Sequence, residues 1–326
     1  MFRLDPAIPA RSDLDWCWYL RRQGASGEVL ERALHDIGVM QPGGWAAWGP
    51  SELGSTGAPV QMVFSTATDS LALATEVDDP ATCKTTRVDQ VCRFMRQFGS
   101  VLPSDALREV ISSAQGGEPL RFGAWLGLRH EKAAGTSTSL LAELPAGATD
   151  LAPLIGTDVL QGLLDQLDGA ARPTMIGFDG ATGNSTIYCA AVATSRAILP
   201  ILAEPAQVSP DVLSYAIDGL VDITPTPRLP VDNFYFSYEL DADGRQPPAL
   251  TIWLRAATLF QSDAAIAARI QSCGGRRLSG YAALIENNPP APAGQTHHGY
   301  IGLRARQGAA PDLTVSVAAP WHAHID

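Results

Sequence analysis

Residues Gly57–Val77 read GAPVQMVFSTATDSLALATEV, two runs of alternating character joined by TATD. Val60, Met62 and Phe64 fall on one face of a strand and Gln61, Val63 and Ser65 on the other. Leu71, Leu73, Thr75 and Val77 likewise oppose Ala72, Ala74 and Glu76. One face is apolar and the other small or polar, with no ionisable side chain before Glu76. TATD supplies the hydrogen-bonding side chains that hairpin turns favour, so the stretch predicts a β-hairpin.

The same unit recurs four times. In LRFGAWLGLRHEKAAGTSTSLLAELPAG (120–147), Arg121, Trp125 and Arg129 oppose Phe122, Ala124, Leu126 and Leu128, and Ser139, Leu141 and Glu143 oppose Leu140, Ala142 and Leu144. PTMIGFDGATGNSTIYCAAV (173–192) turns at GATGN, and DNFYFSYELDADGRQPPALTIWLRA (232–256) turns at DADG. The last is HHGYIGLRARQGAAPDLTVSVAAP (297–320). Helical periodicity separates the hairpins, at DQVCRFMRQF, TDVLQGLLDQLDG, SPDVLSYAIDGLV and SDAAIAARIQSCGG, and a segment from Leu14 to Met40 opens the series. Ser209-Pro210 and Ser262-Asp263 read as helix starts and Gly274 as a stop. A period of roughly 50 residues alternating helix and hairpin is a repeat architecture.

Ten antiparallel strands with helices between the hairpins can close into one barrel, which removes exposed edges while the helices cover the apolar outer face. The expected fold is therefore α+β: a ten-stranded antiparallel β-barrel of five helix–hairpin units, helices outside, as a single domain over residues 1–326. A sandwich of several sheets is the other arrangement these elements allow. The polar faces would line the interior of the barrel, which is wide enough to hold a ligand.

Composition narrows the partners. With 46% hydrophobic and 17% charged residues the 326-residue chain is ordinary and globular, and its formal charge of −11 opposes nucleic acid and anionic membranes, both of which need a basic face. Five cysteines with no CxxC or Cys/His spacing support neither a disulfide framework nor zinc; they are expected to be reduced and mostly buried. No cofactor and no metal is expected. The N-terminal residues lack an apolar run of signal-peptide length, and no segment is long enough to span a bilayer, so a cytoplasmic monomer or homodimer is expected.

The chain resembles the ABBA-type aromatic prenyltransferases, in particular their tryptophan dimethylallyltransferase branch. The resemblance is carried by GAPVQMVFS in the first hairpin, GAWLGLRH and AELPAG in the second, ALTIWLRA followed by SDAAIAARI in the fourth, and HHGYIGLR with LTVSVAAP in the fifth. It implies a barrel that binds an allylic diphosphate through inward Arg, Lys and Tyr residues, with a first-strand Glu that takes a proton from the aromatic acceptor. Carried over position by position, the acid falls on Gln61 and the first-hairpin Arg on Ala72. The Lys and Tyr of the second hairpin fall on Ser139 and Leu141. The third-hairpin Lys falls on Thr186, with Tyr188 still aromatic; Thr251 and Trp253 stand for Lys and Tyr in the fourth. In the fifth, Ser316 stands for a Tyr while Tyr300 is kept.

A diphosphate carries about three negative charges and needs several cations or a metal in a partly desolvated barrel. Thr, Ser and Ala supply none. Arg121, Arg129, Arg255 and Arg304 fall on the expected inner faces but near strand ends, where they are either a solvated rim or a relocated phosphate site. The remaining inner residues, Gln61, Trp125, Tyr188, Tyr235, Trp253, His298 and Tyr300, can stack a flat substrate and fix its oxygens. His298 is either the proton-exchanging group, on one strand face with Tyr300, or a hydrogen-bonding strand residue; Tyr188 and Trp253 are either site residues or packing. The expected catalytic set is His298, Tyr188, Gln61 and Tyr300, and the expected substrate contacts are Trp125, Trp253, Tyr235, Thr186, Thr251, Ser139, Arg129 and Arg255. These point to an enzyme of specialised, alkaloid-type metabolism that cyclises or rearranges a small aromatic or indole-like substrate with no prenyl donor; closure to a carbazole is one such chemistry. The alternatives are an aromatic prenyltransferase using dimethylallyl diphosphate and a non-catalytic binder of an aromatic metabolite.

Overall fold

A computed structural model describes residues 20, 25–36, 50–68, 70–79, 81–117, 119–131, 133–146, 158–224, 226–274, 278–287, 291 and 295–318. Within them the strands are β1 (Val60–Ser65), β2 (Leu71–Thr75), β3 (Ala124–Glu131), β4 (Gly135–Glu143), β5 (Ala171–Asp179), β6 (Ser185–Val192), β7 (Asn233–Leu240), β8 (Ala249–Arg255), β9 (His298–Ala305) and β10 (Asp312–Ala318). They form one closed antiparallel barrel in chain order, sealed by β1 pairing with β10. All five expected hairpins are present. Asp69 of the first turn lies outside the described residues, as do Cys17, Gly43, Gly44 and Gly275.

The helices fall between the hairpins: α1 (Ala25–Asp36), α2 (Arg87–Gln97), α3 (Asp105–Gln115), α4 (Asp158–Gln166), α5 (Ile198–Ala203), α6 (Pro210–Val221), α7 (Ala256–Leu259), α8 (Asp263–Gly274) and α9 (Ser279–Asn287). Pro210 opens α6 and Asp222 ends it in the left-handed region at φ 57°. The segments read from the sequence correspond to α2, α4, α6 and α8; α3, which is as amphipathic as α2, and the shorter α5, α7 and α9 are additional. These segments are held by tertiary packing and local caps, as where Ser104 accepts from the Leu107 N–H at 3.1 Å to start α3.

Alternation decides which side of the wall each residue faces. Val60, Met62, Leu73, Leu126, Leu140, Ile187, Phe236, Ile252, Ile301 and Val315 are buried and join one apolar core with residues of the outer helices. The facing residues, such as Gln61, Trp125, Tyr188, Tyr235, Trp253 and Tyr300, are half-buried and line the interior. Among the four described cysteines Cys92 and Cys189 are buried, whereas Cys83 and Cys273 are exposed, contrary to expectation; all four are free. Among the described residues no helix is long and apolar enough to cross a membrane, and no three His, Cys, Asp or Glu side chains gather as a metal site.

Candidate active site

Strand register fixes the interior directly, because residues opposite each other in a ladder point to the same side. Gln61 is opposite Ala74, and Val63 is opposite both Ala72 and Ser316. Gly127 faces Ser139, Trp125 faces Leu141, Gly177 faces Thr186, and Ser237 faces Thr251. Thus Ala72, Ser139, Leu141, Thr186, Thr251 and Ser316 do project into the barrel, and none carries a charge.

Toward the end where the strands meet the helices the lining is aromatic. Tyr188 and Trp253 lie 6.3 Å apart, centroid to centroid, and Tyr235 meets Tyr300 edge-on at 5.5 Å. Trp253 donates its indole N–H to Ser237 Oγ at 2.9 Å and lies across Gly302, where a Cβ would come within 2.7 Å of the ring. The Arg255 guanidinium sits 5.9 Å from the centre of the Tyr300 ring, and among the described residues it has no carboxylate within ion-pair distance. The Tyr300 hydroxyl holds Arg255 above the ordinary guanidinium range. Burial, with Tyr300 beside it, pushes Tyr235 up. Tyr188 is pushed up to about 12, mainly by burial.

The hairpin end is ionic. Arg129 Nη2 lies 3.0 Å from Asp179 Oδ2 and Arg129 Nε 3.5 Å from Glu131, while Arg304 is paired with Glu239, which also has Arg306 at 3.7 Å. Arg129 and Arg304 are therefore neither a free solvated rim nor an open phosphate site. Arg121 precedes β3 rather than lying on an inner strand face, and it is paired with Glu52.

His298 departs from expectation. β10 residues Val315 and Val317, two apart, pair with β9 residues Ile301 and His298, three apart. The extra residue is a β-bulge at Gly299–Tyr300, and it reverses the alternation. His298 consequently points outward, fully buried beneath α8 and α9. Its Nδ1 is paired with Asp263 and its Nε2 lies 2.7 Å from the Tyr281 hydroxyl. Asp263 also accepts the His297 N–H at 3.0 Å. Burial alone would raise Asp263, but the bonds from His298 and His297 bring it below the usual carboxylate range. The expected shared face of His298 and Tyr300 does not exist.

Two inner carboxylates are committed elsewhere. Glu76 accepts from Ser51 Oγ at 2.5 Å and from the Trp125 indole N–H at 2.9 Å, and it pairs with Arg87, both side chains being essentially inaccessible at 1% and 0%. Burial pushes the Glu76 carboxyl up, against the pull of Arg87, Ser51 and Trp125. Arg87 also donates to the carbonyls of Phe122 and Asp79. Glu143 accepts the N–H groups of Arg121, Phe122 and Gly123 at 2.8 to 3.0 Å. Together they clamp the segment that carries Trp125, whose ring stacks on Phe122 at 3.7 Å. Nothing in the local pattern marks Arg87 as an inner-wall partner, since it opens the polar, charged helix α2. Gln61 Oε1, by contrast, is buried with no hydrogen-bond partner among the described residues.

No protein-family model matches the sequence. No curated protein matches it either. Solved structures do. The 6-dimethylallyltryptophan synthase from Micromonospora olivasterospora in complex with DMASPP and Trp superposes with a TM-score of 0.73 at 17% identity, covering 94% of this chain and 96% of that one. The 5-dimethylallyltryptophan synthase from Streptomyces coelicolor, also with DMASPP and Trp, gives 0.73 at 14% identity over 97% and 96%. The prenyltransferase PriB in its apo form gives 0.67 at 14% identity over 95% and 94%. The chain has the barrel fold of the ABBA-type aromatic prenyltransferases.

Proposed function

We propose that this barrel is an enzyme that binds a small aromatic or indole-like molecule in its interior and closes or rearranges a ring within it, without a prenyl diphosphate. The observation that carries the reading is the neutral lining at Ala72, Ser139, Thr186, Thr251 and Ser316, joined by an amide at Gln61 where proton abstraction would need a carboxylate. A tripositive cradle is missing from the positions at which the register places these side chains. Trp253 and Tyr188 offer the stacking wall, and Gln61 Oε1 offers an acceptor to a substrate N–H or O–H.

With His298 behind the wall, Glu76 and Glu143 tied into structure, and the inward Asp179 and Glu239 paired with Arg129 and Arg304, proton movement falls to the phenols. Tyr300 is the proposed proton carrier: its ring lies 5.9 Å from the Arg255 guanidinium and meets Tyr235 edge-on at 5.5 Å. Tyr188, held neutral, is a donor to a substrate oxygen.

A second reading, an aromatic prenyltransferase, is favoured by the solved neighbours and by Arg255, which has no carboxylate partner to displace among the described residues. One experiment separates the two. The protein is incubated with dimethylallyl diphosphate and tryptophan, indole or 1-naphthol, and both prenylated product and released pyrophosphate are measured. Neither is expected, while indole or naphthol should quench the fluorescence of Trp125 and Trp253. A prenylated product would overturn the donor-free reading in favour of the second.

A further inference from the structure

The ionic residues at the hairpin end of the lumen are built into the fold. Asp179 closes β5; its Oδ1 accepts the backbone N–H of Ala181 at 2.7 Å, which leaves Oδ2 aimed at Arg129, 3.0 Å away. Five residues along the chain, at the end of the turn, Asn184 donates through Nδ2 to Glu239 Oε1 at 3.2 Å and accepts the Ala242 N–H through Oδ1 at 3.1 Å. Glu239 Oε2 pairs with Arg304. The single turn 180–184 therefore fixes two carboxylates on neighbouring hairpins, each against a different inward arginine. Register confirms the direction: Asp179 is opposite Ser139, Glu239 opposite Thr186, Arg129 opposite Ala72, and Arg304 opposite Thr251. These four partners are also the positions where the lining is neutral.

We propose that Asp179 and Glu239 are internal counter-anions that determine specificity: they occupy Arg129 and Arg304 and so exclude phosphorylated and other polyanionic ligands from the hairpin end of the lumen. The four side chains are between a fifth and a third exposed, so screening is incomplete and the attraction between tethered partners is retained. A carboxylate held within hydrogen-bonding distance by the chain acts at an effective concentration that a free anion in solution does not reach. An entering diphosphate would also meet the repulsion of both carboxylates. This inference rests on the donor-free reading of the same lumen, and it adds that the two arginines are capable of holding an anion once released.

The test is binding of inorganic pyrophosphate and of dimethylallyl diphosphate, followed by calorimetry and ³¹P NMR, to the full chain. Compared are the wild type, Asp179→Asn, Glu239→Gln, the double variant, and the double variant with Arg129→Gln and Arg304→Gln added; circular dichroism melting checks that each is folded. The near-isosteric double variant should bind pyrophosphate at least tenfold more tightly than the wild type, and the added arginine replacements should abolish the gain. No gain in the folded double variant would overturn the inference. So would a threefold or greater loss of wild-type pyrophosphate affinity on Arg129→Gln or Arg304→Gln alone, a readout that stands even if the double variant does not fold. Tight wild-type binding of dimethylallyl diphosphate that is lost in Arg255→Gln but insensitive to Arg129 and Arg304 would instead sink the donor-free reading and leave the counter-anion role intact.

Discussion

His298 and Tyr300 stand two residues apart on β9 and lie on opposite sides of the barrel wall, because the bulge between them inserts a residue that β10 does not match. The histidine faces Asp263 and Tyr281 in the layer between barrel and helices, and the tyrosine faces Tyr235 inside. One imidazole thereby joins β9 to α8 and α9 in the buried layer, while its near neighbour faces the lumen.

The first prediction separates their roles. His298→Ala should lower stability by about 1–3 kcal/mol, the usual cost of stranding buried hydrogen-bonding partners, and leave binding of indole unchanged. Tyr300→Phe should leave the urea midpoint almost unmoved and, once a converted substrate is in hand, lower turnover by roughly 10²–10⁴-fold, the range for losing a general acid or base. If His298→Ala reduces turnover tenfold or more at unchanged stability, the assignment is reversed.

Acid should act through the same triad. The folded value of Asp263 is lowered below its unfolded one, so the stability it contributes is fully present above the ordinary carboxylate range. It is lost as the pH falls through the lowered folded value. Urea unfolding of wild type and Asp263→Asn between pH 7 and pH 2.5 should therefore give curves that converge only at the acid end. A gap that is constant with pH would contradict this.

Removing Arg87 should be among the most damaging single changes. Arg87→Ala leaves Glu76 without its cation in a site with 1% exposure, with only the hydrogen bonds from Ser51 and Trp125 remaining, and breaking a buried pair costs about 3–5 kcal/mol. Replacing both residues, as Glu76→Gln with Arg87→Met, should be much milder than either alone, and the double-mutant cycle measures the coupling. Near-UV circular dichroism should report the loosening of Trp125 in the single variants. Additive effects would mean the pair is incidental.

Gly302 sets the place of Trp253. An added Cβ would approach Cζ3 of that ring to 2.7 Å, so Gly302→Ala must displace the indole and break its 2.9 Å bond to Ser237. Overpacking of this kind costs about 1–3 kcal/mol. Affinity for an indole ligand should drop in Gly302→Ala as it does in Trp253→Ala; unaltered affinity in both would remove Trp253 from the site.

Much of the barrel was legible because a period of two is robust: Val60/Met62/Phe64 against Gln61/Val63/Ser65 needs no tertiary knowledge, and five such hairpins leave few ways to avoid an edge. Apart from a register shift between Pro173 and Met175 on β5, the inner faces of β1 to β8 follow from parity alone, which is why Gln61, Ser139, Thr186 and Thr251 land where the pattern puts them. The same rule misplaced His298, since a bulge is a property of two strands and Gly299-Tyr300 carries no mark of its own. Asp179 against Arg129, Glu239 against Arg304 and Arg87 against Glu76 were likewise invisible. Each joins residues from different repeats or from a helix to a strand, a relation that no local spacing encodes.

The seam between the first and last strands has a consequence for biosynthesis. Thr314 hydrogen-bonds to Ser65, 249 residues earlier in the chain, and β1 finds its second partner only in β10. During synthesis the growing polypeptide thus carries an unmated β1 edge until its last strand has left the ribosome, a period in which strand addition by another molecule competes with completion. Pairing over such separations is slow. A chain cut short of Asp312 would keep four hairpins and all the described helices yet have no enclosed chamber, and it should surface in cells as aggregate rather than as folded protein.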